Sequence, residues 1–104
     1  MTGSLHDRPG AEVSPYLVDL SESLLYGDIW ERPQLSKRDR SLVTVGVLIA
    51  LNRQPELREH LGRALENGVT HEELGEVILH MAFYAGWPAA ATAVRVAHEV
   101  FTED

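Results

Sequence analysis

Apolar positions recur at three- and four-residue intervals along most of the chain, and residues that start or stop helices bracket each run. Ser14-Pro15 puts an N-cap before a proline at the first helical position, predicting a helix to about Tyr26 that Gly27 stops. Asp28 to Pro33 reads as extended, because Pro33 disfavours helical geometry at Arg32. Ser36 with Asp39 three residues on is a variant capping box, so a second helix begins at Lys37. Its segment SLVTVGVLIAL, residues 41 to 51, holds the valine, isoleucine and threonine of a strand. Length and the capping signal favour a helix, ended by Asn52. Pro55 opens a third helix that reaches Glu66 or Asn67, with Gly68 as its left-handed stop. Thr70 and Glu73 form a full capping box for a fourth helix, which runs to about Ala85 and breaks at Gly86-Trp87. Pro88 opens a fifth, Ala89 to Phe101. The pattern predicts an all-α chain, a compact bundle of about five helices. Residues 1–13 carry no periodicity and are expected to be a mobile tail before a single helical domain over 14–104.

Residues 42–51 are apolar around nearly the whole helical circumference, which implies burial on all sides. Four other short helices struggle to enclose such a helix. A homo-oligomer, with neighbouring subunits covering the remaining faces, is the economical expectation.

The fourth helix carries a different pattern. At about 100° per residue, Leu74, Val77, Ile78, Met81 and Ala85 form one broad apolar face, and Leu79 and Phe83 form a second. Between them Glu73, Glu76, His80 and Tyr84 make a narrow polar strip. Such a strip lines either a polar seam between helices or a pocket. His80 is then either a core or interface histidine bonded to Glu76, or a working acid or base. His60 sits at a similar boundary, beside the apolar face Leu57, Leu61, Ala64, Leu65 and one turn after Glu56. A carboxylate at that spacing can orient the imidazole and raise its pKa, as a general acid or base needs, or it can be a surface pair of little energetic weight. Neither His-x-x-x-His nor Glu-x-x-His occurs among these residues, so no metal site is expected. His71 reads as a first-turn residue, His98 as solvent-facing and His6 as tail. Gly86 and Trp87 read as a break that ends a helix and packs.

Composition narrows the chemistry. The 104 residues include 16 acidic and 9 basic side chains, for a formal net charge of −7. With no Lys/Arg cluster to offset it, that surface repels nucleic acid, while a local arginine pocket for a small anion is allowed. Cysteine is absent, which removes disulfides, thiolate catalysis and zinc–thiolate sites and fits a cytoplasmic protein. The N-terminus has no apolar run after a basic start, so it is not expected to be a signal peptide, and the apolar stretch 42–51 is too short to span a bilayer. No glycine-rich phosphate loop and no serine-centred nucleophile elbow occurs.

Several spaced marks then come together: Trp30 with Arg32-Pro33, Arg40-Ser41-Leu42-Val43-Thr44, Glu56-Leu57-Arg58 and His60, Asn67-Gly68-Val69-Thr70, Glu76, His80, and Tyr84-Ala85-Gly86 with Pro88. In these the chain resembles the carboxymuconolactone decarboxylase family over residues 26–90. The resemblance implies an all-α, alkylhydroperoxidase D-like fold assembled into rings of subunits, often hexamers, here a trimer of dimers. Alkylhydroperoxidase D-like proteins use a Glu, a Cys-x-x-Cys pair and a following His. By spacing these fall at Ser41, Arg53, Glu56 and His60, and only the histidine survives, so thiol peroxidase chemistry is excluded. What remains resembles a cofactor-free decarboxylase of a small dianionic lactone from aromatic compound catabolism. On that resemblance His60 and His80, with Glu56, are expected to supply the oxyanion donor and the proton. Arg40 would meet the retained carboxylate and pair with a deeper Glu76, and Trp30, Tyr84 and Trp87 would wall the pocket. A cofactor-free isomerase or cyclase on another small carbonyl compound, or a non-catalytic oligomeric binding protein, are the alternatives.

Overall fold

The computed structural model describes residues 4–103, and the chain divides between Ser36 and Lys37 into two compact units. In the first, Pro15 opens α1 (Pro15–Leu20), which widens into a π-helical turn over Ser21–Tyr26. The cause lies in two serines. Ser21 and Ser23 donate their hydroxyls to the carbonyls of Leu17 and Asp19, at 2.9 and 2.8 Å, where they compete with the backbone ladder. Gly27 ends the turn, since a Cβ there would lie 2.7 Å from the Ser23 carbonyl oxygen. The segment expected to be a tail carries two 3-10 turns in its described part, Leu5–Asp7 and Ala11–Val13, with Leu5 and Ala11 buried. His6 Nε2 lies 2.7 Å from Asp19 Oδ1, and the Ser4 hydroxyl donates to Glu22 at 3.1 Å. Asp28 to Pro33, expected to be extended, holds a single 3-10 turn over Ile29–Glu31. Only Arg32, the residue before proline, is extended, at φ −68° and ψ 134°.

The second unit has four helices: α2 (Lys37–Ala50), α3 (Gln54–Glu66), α4 (His71–Ala85) and α5 (Trp87–Thr102). With α1 they make the five α-helices of the described chain, which holds no strand. α2 packs on α3 and α4, and α5 closes the ring against the same two. Their inward stripes, including Val45 and Ile49, Leu57 and Leu61, Leu74 and Ile78, and Ala93 and Val96, form one buried core. Each large aliphatic side chain so removed from water contributes roughly 1.5–3 kcal/mol.

The helix ends are those the sequence signals. α2 and α3 each close in a Schellman motif around a left-handed residue, Asn52 at φ 55° and Gly68 at φ 98°. In α3, Val69 N–H donates to Ala64 and Gly68 N–H to Leu65. In α2, Arg53 N–H donates to Leu48 and Asn52 N–H to Ile49. The capping box of α4 is complete, with Glu73 N–H donating to the Thr70 hydroxyl and Thr70 N–H to the Glu73 carboxylate, both at 3.0 Å. α5 begins at Trp87, two residues ahead of the expected Ala89, because a proline in the first turn has no N–H to leave unsatisfied.

The other helices do not enclose α2. α2 buries only Ser41, Val45 and Ile49, a single i, i+4 stripe, while Val43 and Val47 are 60% and 49% exposed. Three neighbouring helices enclose one face of it and leave the other apolar face uncovered.

Candidate active-site groove

The uncovered face of α2 meets α4 in a groove of about 580 Å³. Leu42, Val43, Gly46, Val47 and Ala50 line it from α2, and Glu76, Val77, His80 and Met81 from α4. Gly46 lies beside Met81 there: a Cβ at Gly46 would stand 3.6 Å from the thioether sulfur, an ordinary contact. The lining is apolar apart from one acid and one imidazole, a single turn apart on the same ridge.

Both polar groups stand at the rim, exposed. The His80 ring stacks on Tyr84, with centroids 4.7 Å apart and planes at 29°, so the phenol fixes one face of the imidazole. Tyr84 itself is 76% exposed and does not line the groove. Phe83 and Trp87 meet edge to face at 5.5 Å just beyond it, both exposed. Below the groove, Arg38 of α2 and Glu73 of α4 form an ion pair that ties the two helices near their N-terminal ends. Glu73 is held below the usual carboxylate range, first by the Thr70 N–H and then by Arg38. Arg38 is raised mainly by its hydrogen bond to Glu73.

The expected site residues do not all converge. Glu76 and His80 share the groove, while His60 and Glu56 lie on α3 outside its lining. His60 is half-buried with its Nδ1 atom enclosed, and burial pushes its pKa down, helped by Arg63 and only partly opposed by Glu59 and Glu56. Of the two readings open for Glu56, the one in which the imidazole's pKa is raised does not hold. That carboxylate instead accepts from Arg53 Nε at 3.0 Å, and desolvation outweighs it at the imidazole. Glu76 is not deep and forms no ion pair among the described residues, so the expected pair with Arg40 is absent. The helical wheel set the polar strip between two apolar surfaces, but only one of them is core. Leu79 and Phe83, on the other, are 52% and 70% exposed. Arg40 is half-buried on α2, and Trp30 belongs to the first unit, where its ring lies 6.2 Å from that of Tyr26.

Sequence reasoning missed three features. Ser41 is fully buried and its hydroxyl accepts from Asn67 Nδ2 at 3.0 Å, joining α2 to the end of α3. His71, read as a first-turn residue, stacks on Phe101 at 4.1 Å. Arg58 pairs with Glu99 and, at 3.4 Å, with Glu103. The small, polar Ser41 within the apolar stripe of α2 was the one available signal. Among the described residues no group of three or more acidic or histidine side chains is placed to hold a metal ion, and no helix is long and apolar enough to cross a membrane.

Comparison with known proteins adds three findings. The model of the carboxymuconolactone decarboxylase family matches residues 15–99. The chain is 51% identical over 78 residues to a 4-carboxymuconolactone decarboxylase of Acinetobacter baylyi, an alignment covering 75% of this chain and 58% of the relative. It is 35% identical over 96 residues to the nitrosuccinic acid decarboxylase of Metarhizium robertsii, covering 92% of this chain and 62% of that protein. The chain thus spans about three fifths of the length of these relatives.

Proposed function

This chain belongs to the carboxymuconolactone decarboxylase family, and from that premise we propose that it is a cofactor-free carboxy-lyase, removing CO2 from a small carboxylated substrate in the α2–α4 groove. The observation that carries the reading is the groove itself: an apolar cleft with one imidazole and one carboxylate on its rim. The two relatives' named substrates support the absence of a cofactor. A lactone carbonyl and a nitro group are both electron sinks, so each substrate brings its own acceptor. In the lactone, the C–C bond to the leaving carboxylate breaks and CO2 departs. Its electron pair delocalises through the ring alkene onto the lactone carbonyl oxygen, and a proton is then delivered to carbon.

His80 is assigned to deliver that proton, as the one imidazole among the lining residues and the side-chain type most often used in general acid–base catalysis. Tyr84 positions its ring. The apolar walls keep water from the developing enolate, where each donor then counts for more. Arg40 is the cation assigned to the retained carboxylate, and Trp87 is assigned to the outer wall. His60, its neutral form favoured by burial, is assigned a second, hydrogen-bonding role. The protein acts in this reading as a cytoplasmic homo-oligomer, a trimer of dimers serving aromatic compound catabolism. The test is to incubate the purified protein with 4-carboxymuconolactone in the presence of a chelator and follow CO2. Release at an unchanged rate with and without chelator is expected. No release, or release lost with a stoichiometric metal, contradicts the proposal.

A further inference from the structure

The charges around the groove are the reverse of what a carboxylated substrate would be expected to meet. Among the described residues its lining holds no lysine or arginine, and it does hold an acid, Glu76. Nothing in the lining neutralises that acid. Glu73, the preceding carboxylate of α4, is taken up by Arg38, and the His80 ring rests on Tyr84. Glu76 has neither hydrogen bond nor ion pair among the described residues.

On the reading of the groove as a decarboxylase site, on which this rests, we propose that Glu76 faces the carboxylate that leaves. The acid and the His80 imidazole then set up a polarity along the groove that runs with the electron pair. Decarboxylation needs opposite surroundings at the two ends of the substrate. At one end the C–C bond to the carboxylate breaks, CO2 departs neutral and a negative charge disappears. At the other the electron pair arrives on the lactone carbonyl oxygen. A proton passes from His80 to a ring carbon and is replaced from water at the exposed imidazole. An anion beside the first end therefore repels the bound substrate more than it repels the transition state. A donor beside the second end favours the transition state.

Glu76 and His80 stand on one ridge of α4 and both line the groove. They are separated by about one helical turn, about 5.4 Å. That spacing suits a five-membered lactone laid along α4, with its ring carboxylate at the acid and its carbonyl at the imidazole. The reverse orientation sets the developing enolate against Glu76 and raises the barrier. The apolar walls on the inner side hold back screening water, so the acid acts on the substrate more strongly than it would in bulk solvent.

Glu76→Gln removes the charge and keeps the shape at an exposed position, where folding does not depend on it, and Glu76→Asp keeps the charge. The probes are two unreactive lactones whose saturated ring gives the electron pair no path to the carbonyl. One carries both carboxylates of 4-carboxymuconolactone, and the other lacks the carboxylate that would leave. By calorimetry Glu76→Gln should bind the dicarboxylate about two- to fivefold more tightly than the wild type, the size of an exposed charge–charge interaction. It should bind the monocarboxylate equally well. The gain should shrink as salt is raised, and Glu76→Asp should behave as the wild type. With 4-carboxymuconolactone itself, kcat and KM of Glu76→Gln should fall together, the mark of a lost ground-state repulsion. Unchanged dicarboxylate affinity, an equal gain for both lactones, or an unchanged kcat overturns the inference. Calorimetry does not depend on turnover, so a selective gain in a protein that releases no CO2 refutes the decarboxylase reading and leaves the ligand carboxylate beside Glu76.

Discussion

His60 shows how a single residue can be found in a sequence while its behaviour is not. Its place at the edge of the α3 apolar face was legible, but the direction of its shift depends on how deeply the ring sits. Depth is decided by neighbours on other helices. With burial as the largest cause, the folded imidazole titrates below its ordinary value of 6.5. As pH falls, the unfolded chain takes up this proton first, so His60 contributes its full stability above about pH 6.5 and loses it below. Urea midpoints measured from about pH 7 down to 5.5 should decline more steeply for the wild type than for His60→Gln. Parallel profiles would remove burial as the governing cause. That Glu76 would lie exposed, without the expected Arg40 pair, was unreadable for a related reason, since a helical wheel finds an apolar flank without saying whether protein or solvent covers it.

At the scale of elements the chain is nearly self-describing from Lys37 onward. Thr70 with Glu73, Asn52 and Gly68 each help satisfy specific unpaired backbone groups, and the prolines of the first turns have no N–H to leave unpaired, so the boundaries follow from local chemistry. Thr70→Ala removes the cap acceptor and should cost about 1 kcal/mol, read as a lower urea midpoint with unchanged slope. An unaltered midpoint would show that the Arg38–Glu73 pair holds the start of α4 without the cap. Leu61→Ala, at a fully buried core position, should cost more, about 2–5 kcal/mol. Before Lys37 the pattern was less informative. The π-helical turn arises from two serine hydroxyls bonding back to carbonyls, and serine at those positions looks like an ordinary helix residue.

For the whole molecule, the apolar circumference of residues 42–51 announced an uncovered face, and the structure shows where it lies: Val43 and Val47 over the groove. Light scattering at micromolar concentration should therefore give a mass well above the 11.6 kDa of one chain. A monomeric mass would leave that face unexplained. What the sequence could not reveal is which of two histidines lines the groove, because α3 and α4 each carry an imidazole one turn after a glutamate. The most direct test is the turnover of 4-carboxymuconolactone by His80→Ala, measured beside the wild type with the oligomer mass checked in both. The account predicts an intact assembly and a kcat lower by about 10²–10⁴-fold, the usual loss when a general acid or base is removed. A His80→Ala protein that assembles and turns over at the wild-type rate would contradict it.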